Sequence, residues 1–121
     1  MRAGKVAAVA VAGMLVSGGA IAITGNELAA QCQAFIKDPT PPSQYFDSGV
    51  CAGYISGMVD GLSMVRAVSP EKVSICFPQQ NFTTLQGVKV VQRFLDTHPE
   101  RLNEGAGILT ATAFRLAFPC Q

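Results

Sequence analysis

The chain has no tryptophan, one histidine and only 14% charged residues, with nine lysines and arginines against eight aspartates and glutamates. Each shortage removes a class of function. Without a concentrated basic footprint, neither nucleic acid nor an anionic membrane surface is an expected partner, and Lys89 and Arg93, one helical turn apart, read as a solvated face. His98, set between Thr97 and Pro99 at a helix junction, suits a capping or surface role. It has no second imidazole beside it for a zinc set, and no serine or cysteine stands at motif spacing from it. The four cysteines include no CxxC pair, which removes thiol-disulfide exchange and the usual zinc spacing together. Glycine is plentiful, but its series lacks the Lys-Ser/Thr ending of a phosphate-binding loop. Asp60 reads as a carboxylate that is hydrogen-bonded or faces water, and Tyr54 as a buried ring with a bonded hydroxyl. The expectation is a protein that is not an enzyme and takes no cofactor and no metal.

Residues 1–22 read as a secretory signal peptide. Arg2 and Lys5 make a positive start, Val6–Val16 is an apolar run interrupted only by Gly13, and Ala20-Ile21-Ala22 supplies a small-x-small cleavage pattern. The apolar run breaks at Ser17-Gly18-Gly19, short of the ~20 residues needed to span a bilayer. The mature domain is then residues 23–121, an exported chain with acidic groups in slight excess once Arg2 and Lys5 are removed. No cysteine follows the cleavage site, so no lipid anchor is expected.

The mature chain reads as one small all-α domain of four helices. Leu28, Cys32, Phe35 and Ile36 form one stripe on a helix over Asn26–Lys37, which the proline-rich stretch Asp38–Ser43 stops. Ser48–Val68 follows, with Asp47 or Ser48 as N-cap. Gly49, Gly53, Gly57 and Gly61 recur in it every fourth residue. Each glycine costs about 1 kcal/mol in helix propensity relative to alanine, so this helix is expected to be buried, with neighbours packed into the glycine groove. Ser69–Phe82 has two prolines and no helical stripe. A connection of that length in a small domain is functional or locally anchored, and Ile75, Phe77 and Phe82 are expected to pack over the core. Thr83 to Gln86 matches a capping box and opens a helix whose stripe is Leu85, Val88, Val91, Phe94 and Leu95. Pro99-Glu100 reads as the start of a last helix over Pro99–Phe118.

All four cysteines, Cys32, Cys51, Cys76 and Cys120, lie in the exported part, and an even count there reads as two disulfides. Cys51 and Cys76 are separated by a helix rising ~1.5 Å per residue, beyond the reach of a disulfide. In a hairpin turning at residues 38–46, Cys32 and Cys51 face each other. If the last two helices are antiparallel, Cys76 lies beside Cys120. The expected bridges are Cys32–Cys51 and Cys76–Cys120.

Several blocks together resemble a known family. They are Gly25-Asn26 with Leu28 and Cys32; Cys51-Ala-Gly53-Tyr54-Ile55-x-Gly57-x-x-Asp60-Gly61; Cys76-x-Pro78; Gln86 with Val90-Val91-x-x-Phe94-Leu95-x-x-His98-Pro99-Glu100; and Ala113-Phe114-x-x-Ala117-Phe118-Pro119-Cys120. In order and spacing they resemble the Rap/Tai family of type VI secretion immunity proteins over nearly all of the mature chain. The resemblance implies a helical periplasmic homodimer that binds a peptidoglycan amidase effector and occludes its active-site cleft. Protruding loops suit that task, so the expected partner-binding residues are Ser69, Pro70, Glu71, Lys72, Gln79, Gln80 and Asn81, with His98 and Arg101 from the following turn. Two other readings share the export signal, helices and staples: an acid-stress chaperone resembling the HdeA type, and an orphan family member without a toxin partner.

Overall fold

A computed structural model describes residues 22–37 and 42–121. The expected signal peptide, up to Ile21, and positions 38–41 of the proline-rich stretch lie outside the described residues. Among the described residues four helices carry the fold: α1 (Gly25–Ile36), α2 (Ser43–Val68), α3 (Thr84–Thr97) and α4 (Ala106–Ala117), with short 3-10 turns at Pro70–Lys72 and Pro99–Arg101. The described residues form no strand, only two isolated β-bridges.

α1 begins where Thr24 accepts a hydrogen bond from the Glu27 amide at 3.3 Å. A helix start leaves unpaired amides, and here the segment before α4 satisfies two of them. The Gly25 N–H donates to the Glu104 carbonyl and the Asn26 N–H to the Leu102 carbonyl, both at 2.9 Å, while the Ala106 N–H returns a bond to Ile23 at 2.8 Å. Residue 25 must be glycine for this contact. A Cβ there would lie 2.5 Å from Leu109 Cδ1 and 3.1 Å from the Leu102 carbonyl oxygen. The same contact corrects the expected last helix. Pro99–Arg101 forms a separate 3-10 turn, and α4 starts only at Ala106, because the carbonyls of Leu102 and Glu104 face α1 and Gly105 is extended.

The core forms where the helices converge. Leu28, Ile55, Leu95, Leu109 and Phe114 are almost completely enclosed, each stabilising the fold by roughly 1.5–3 kcal/mol relative to exposure. The α3 stripe is largely as expected, with Val88, Val91, Phe94 and Leu95 inside; Leu85 is exposed instead. Thr83 Oγ1 accepts from the Gln86 amide at 3.1 Å, as the capping box requires. Both expected disulfides are present, Cys32–Cys51 joining α1 to α2 and Cys76–Cys120 joining the long loop to the C-terminal segment.

α2 departs most from expectation. It starts a turn and a half early, after Pro42, whose φ of −53° is already helical, and no side chain caps it. Of its 26 residues only Cys51 and Ile55 are buried. Gly49, Gly53, Gly57 and Gly61 face outward, with nothing within 4 Å of where a Cβ would sit. The groove therefore receives no neighbouring helix among the described residues. The apolar residues that pack inward, Cys51, Ile55, Val59 and Leu62, lie on the opposite side. The glycine that permits close helix packing is Gly87 of α3, where a Cβ would lie 3.1 Å from Ile55 Cγ2.

Candidate partner-binding surface

The segment from Ser69 to Phe82 has little regular structure, yet it is fastened along its length. Where α2 ends, the Ser69 amide donates to the Val65 carbonyl at 2.7 Å. Arg66 reaches out from the last turn of α2, donating from Nη1 to the Val73 carbonyl at 2.8 Å and to the Pro70 carbonyl at 3.5 Å. Val73 and Ile75 are buried. Ile75 bridges antiparallel to Pro119, and the Cys76 amide donates to the Phe118 carbonyl at 2.8 Å, beside the Cys76–Cys120 disulfide.

Aromatic rings hold the second half of the loop. Phe77 meets the Phe114 ring edge-on at 5.0 Å, and Phe82 meets Phe118 edge-on at 5.5 Å. Such geometries add attraction beyond the area they bury. Asn81 adopts a φ of 62°, a left-handed conformation that asparagine accepts more readily than most residues. The expected packing of Ile75, Phe77 and Phe82 over the core is therefore what the loop does.

With its apolar side chains turned inward, the loop presents polar ones outward. Pro70, Glu71 and Lys72 are exposed at one end, Gln79, Gln80 and Asn81 at the other, and Ser69 is half-buried at the junction with α2. Two open grooves flank it. One of about 500 Å³ lies against the end of α2, lined by Arg66, Ala67, Phe77, Pro78 and Gln79 among others. The other, of about 360 Å³, runs towards α4 between Lys72 and Arg115 over Val73, Ile75 and Ile108. Shallow mixed grooves of this kind suit a protein surface better than a small molecule, which needs an enclosing pocket.

His98 and Arg101 belong to a different place. Gln79–Asn81 precede α3 and these two residues follow it, so the helix separates the two groups by roughly 20 Å. Both side chains are engaged within the chain. His98 stacks on Phe94 with ring centroids 4.1 Å apart, and its Nδ1 donates to the Phe94 carbonyl at 2.8 Å. Arg101 holds Glu104 with two hydrogen bonds of 2.8 and 3.0 Å, and its guanidinium lies 5.7 Å from the Phe94 ring centroid. That pairing keeps the Glu104 carboxyl below the ordinary carboxylate range.

Asp60 is exposed on α2. Tyr54 is half-buried, with its hydroxyl 3.3 Å from where a Cβ on Gly107 would be, and burial raises its pKa above the usual 10.0. No cluster of three or more metal-ligating side chains occurs among the described residues. None of the described helices is long and apolar enough to cross a membrane.

One surface has no counterpart in the sequence reading. The outward face of α2 carries Phe46, Met64 and Val68 at 75%, 70% and 84% exposure. Its signal was the spacing of large apolar residues at both ends of the glycine series, which is equally compatible with a buried helix.

No curated protein and no solved structure matches the chain. The family model of the Rap1a immunity proteins does match, over residues 24–120, a span that takes in all four helices and both disulfides, and the chain belongs to that family.

Proposed function

We propose that this protein is a periplasmic immunity protein that binds a peptidoglycan amidase delivered by type VI secretion and blocks its active-site cleft. The observation that carries the reading is the family match over residues 24–120. The sequence supports export through residues 1–22, and the two disulfides fit an oxidising compartment.

In this reading inhibition is steric and needs no catalytic group. The Ser69–Asn81 loop is suited to enter a cleft because it is anchored before any partner arrives, so little conformational freedom is lost on binding. Glu71, Lys72, Gln79, Gln80 and Asn81 supply the contacts, and the protein acts as a homodimer. The 3-10 turn with His98 and Arg101 contributes at the edge of the contact, its side chains already engaged within the chain.

The test is a calorimetric titration of the oxidised mature protein against the product of the adjacent reading frame, with peptidoglycan cleavage assayed in the same buffer. Stoichiometric binding with loss of cleavage is expected. Cleavage that persists at saturating protein overturns the inhibitory reading.

A further inference from the structure

We propose that two copies of this chain associate through the outward face of α2, with the two α2 helices antiparallel about a two-fold axis beside Gly53 and Gly57. This rests on the homodimeric reading above and names its interface; it does not depend on which effector is bound.

The residues of that face follow a symmetric pattern. Directly opposite the buried Ile55 run Phe46, Gly49, Gly53, Gly57, Gly61 and Met64. Their spacings read the same from either end, with a large apolar residue closing each side of four glycines. A two-fold interface presents one patch to itself and so must complement itself. Laid antiparallel, this helix sets Phe46 against the partner copy's Met64 position, Gly49 against its Gly61 position, and Gly53 against its Gly57 position. The glycines let the two backbones come closer than the usual interaxial distance of about 8–10 Å, while the large residues close both ends.

Two further observations favour a second copy in this orientation. Phe46, Met64 and Val68 are mostly exposed, a concentration of large apolar groups that marks an interaction surface. A stretch of ~27 Å along the helix covers on the order of 500 Å² on each copy, near the lower limit of a specific interface, about 1,000 Å² in total. Charge then selects the direction. Arg66 is turned into the Ser69–Asn81 loop and Asp47 is half-buried at the Phe46 end, so Asp60 is the exposed carboxylate bordering the glycines. Parallel helices would set the two Asp60 carboxylates side by side. Antiparallel helices in this register separate them by ~15 Å, beyond the screening length of ~8 Å.

The experiment combines light scattering with thiol cross-linking. Phe46→Cys and Met64→Cys chains are produced together in the periplasm under different tags, and the purified protein is treated with a short bis-maleimide, which leaves the native disulfides alone. The expected result is a wild-type dimer and a cross-linked product joining the two tags, with no cross-linked dimer from either variant alone. A second variant, Gly57→Leu, has room for its side chain in the monomer; it should keep its helicity and weaken dimerisation by ~10-fold or more. A wild-type dimer that gives no mixed cross-link and tolerates Gly57→Leu overturns this interface and leaves the homodimer standing. Cross-linking of Phe46→Cys to itself overturns the antiparallel register. A wild-type monomer overturns the interface and the homodimeric reading together, while the effector titration still decides immunity.

Discussion

Ile75 and Pro119 pair in an antiparallel bridge, and the residues that follow them, Cys76 and Cys120, are joined by a disulfide. The long loop is thereby held to the C-terminal segment through both backbone and side chain. The bridge spans a sequence separation of 44 residues, against 19 for Cys32–Cys51. On the chain-entropy account, loops of these lengths correspond to about 4 and 3 kcal/mol.

Replacing Cys76 and Cys120 together by alanine should therefore lower unfolding free energy by about 3–4 kcal/mol in urea titrations. A loss below about 1 kcal/mol would show that the Phe77, Phe82, Phe114 and Phe118 rings hold the loop without the covalent bond.

Gly25 and Gly87 should respond differently to alanine. At Gly25 the new Cβ meets Leu102 backbone atoms as well as Leu109, so the start of α1 must move off the 102–104 segment. A loss of roughly 1–3 kcal/mol is expected. At Gly87 the nearest atoms belong to the side chains of Ile55 and Phe82, and the gain of about 1 kcal/mol in helix propensity offsets part of the crowding. Chemical denaturation of the two single variants should rank Gly25→Ala as the more damaging; the reverse order would mean that the α1–α4 contact yields easily.

How far the sequence was legible follows from these elements. Disulfide pairing was readable because hairpin geometry brings positions at equal distances from a turn together. The capped start of α3 was readable because Thr83 and Gln86 act within one turn. The direction in which α2 turns its glycines was not. Periodicity says which residues share a face, but α2 has large apolar groups both around Ile55 and around Gly53, and only the other helices decide which side goes inward. The start of α4 was obscured for a related reason: Pro99 and Glu100 are good opening residues, but the carbonyls of Leu102 and Glu104 accept from α1. The surface loop was identifiable by its length and prolines, whereas the internal engagement of His98 and Arg101 depends on Phe94 and Glu104 being brought near them.

Acid should weaken the fold partly through Glu104. Its carboxyl is held below the ordinary value of 4.5 chiefly by the hydrogen bonds from Arg101. The folded protein therefore binds this proton less readily than the unfolded chain, and the resulting stability is present above the unfolded pKa and lost as pH falls through the lower folded one. Glu104→Gln should have less stability near neutral pH and a shallower decline on acidification. Thermal unfolding of both proteins over roughly pH 2–6 checks this, and parallel curves would assign the acid sensitivity to other carboxylates.

Arg66 makes the loop test sharper than substitution of contact residues alone. It is absent from the expected contact set, yet its guanidinium holds the carbonyls of Val73 and Pro70 and so fixes the segment that displays Glu71 and Lys72. Replacing Glu71 and Lys72 together by alanine should weaken effector binding without changing helicity, because both side chains are exposed. Arg66→Ala should weaken binding on the order of 10-fold by a different route, since the loop must then be ordered when the effector binds. Amide exchange separates the two, with faster exchange around Lys72 and Val73 in Arg66→Ala and little change in the contact variant. If both variants bind the effector as the wild type does, the inhibitory surface lies away from this loop, and the α3 groove bordered by Lys89 and Arg93 becomes the next surface to substitute.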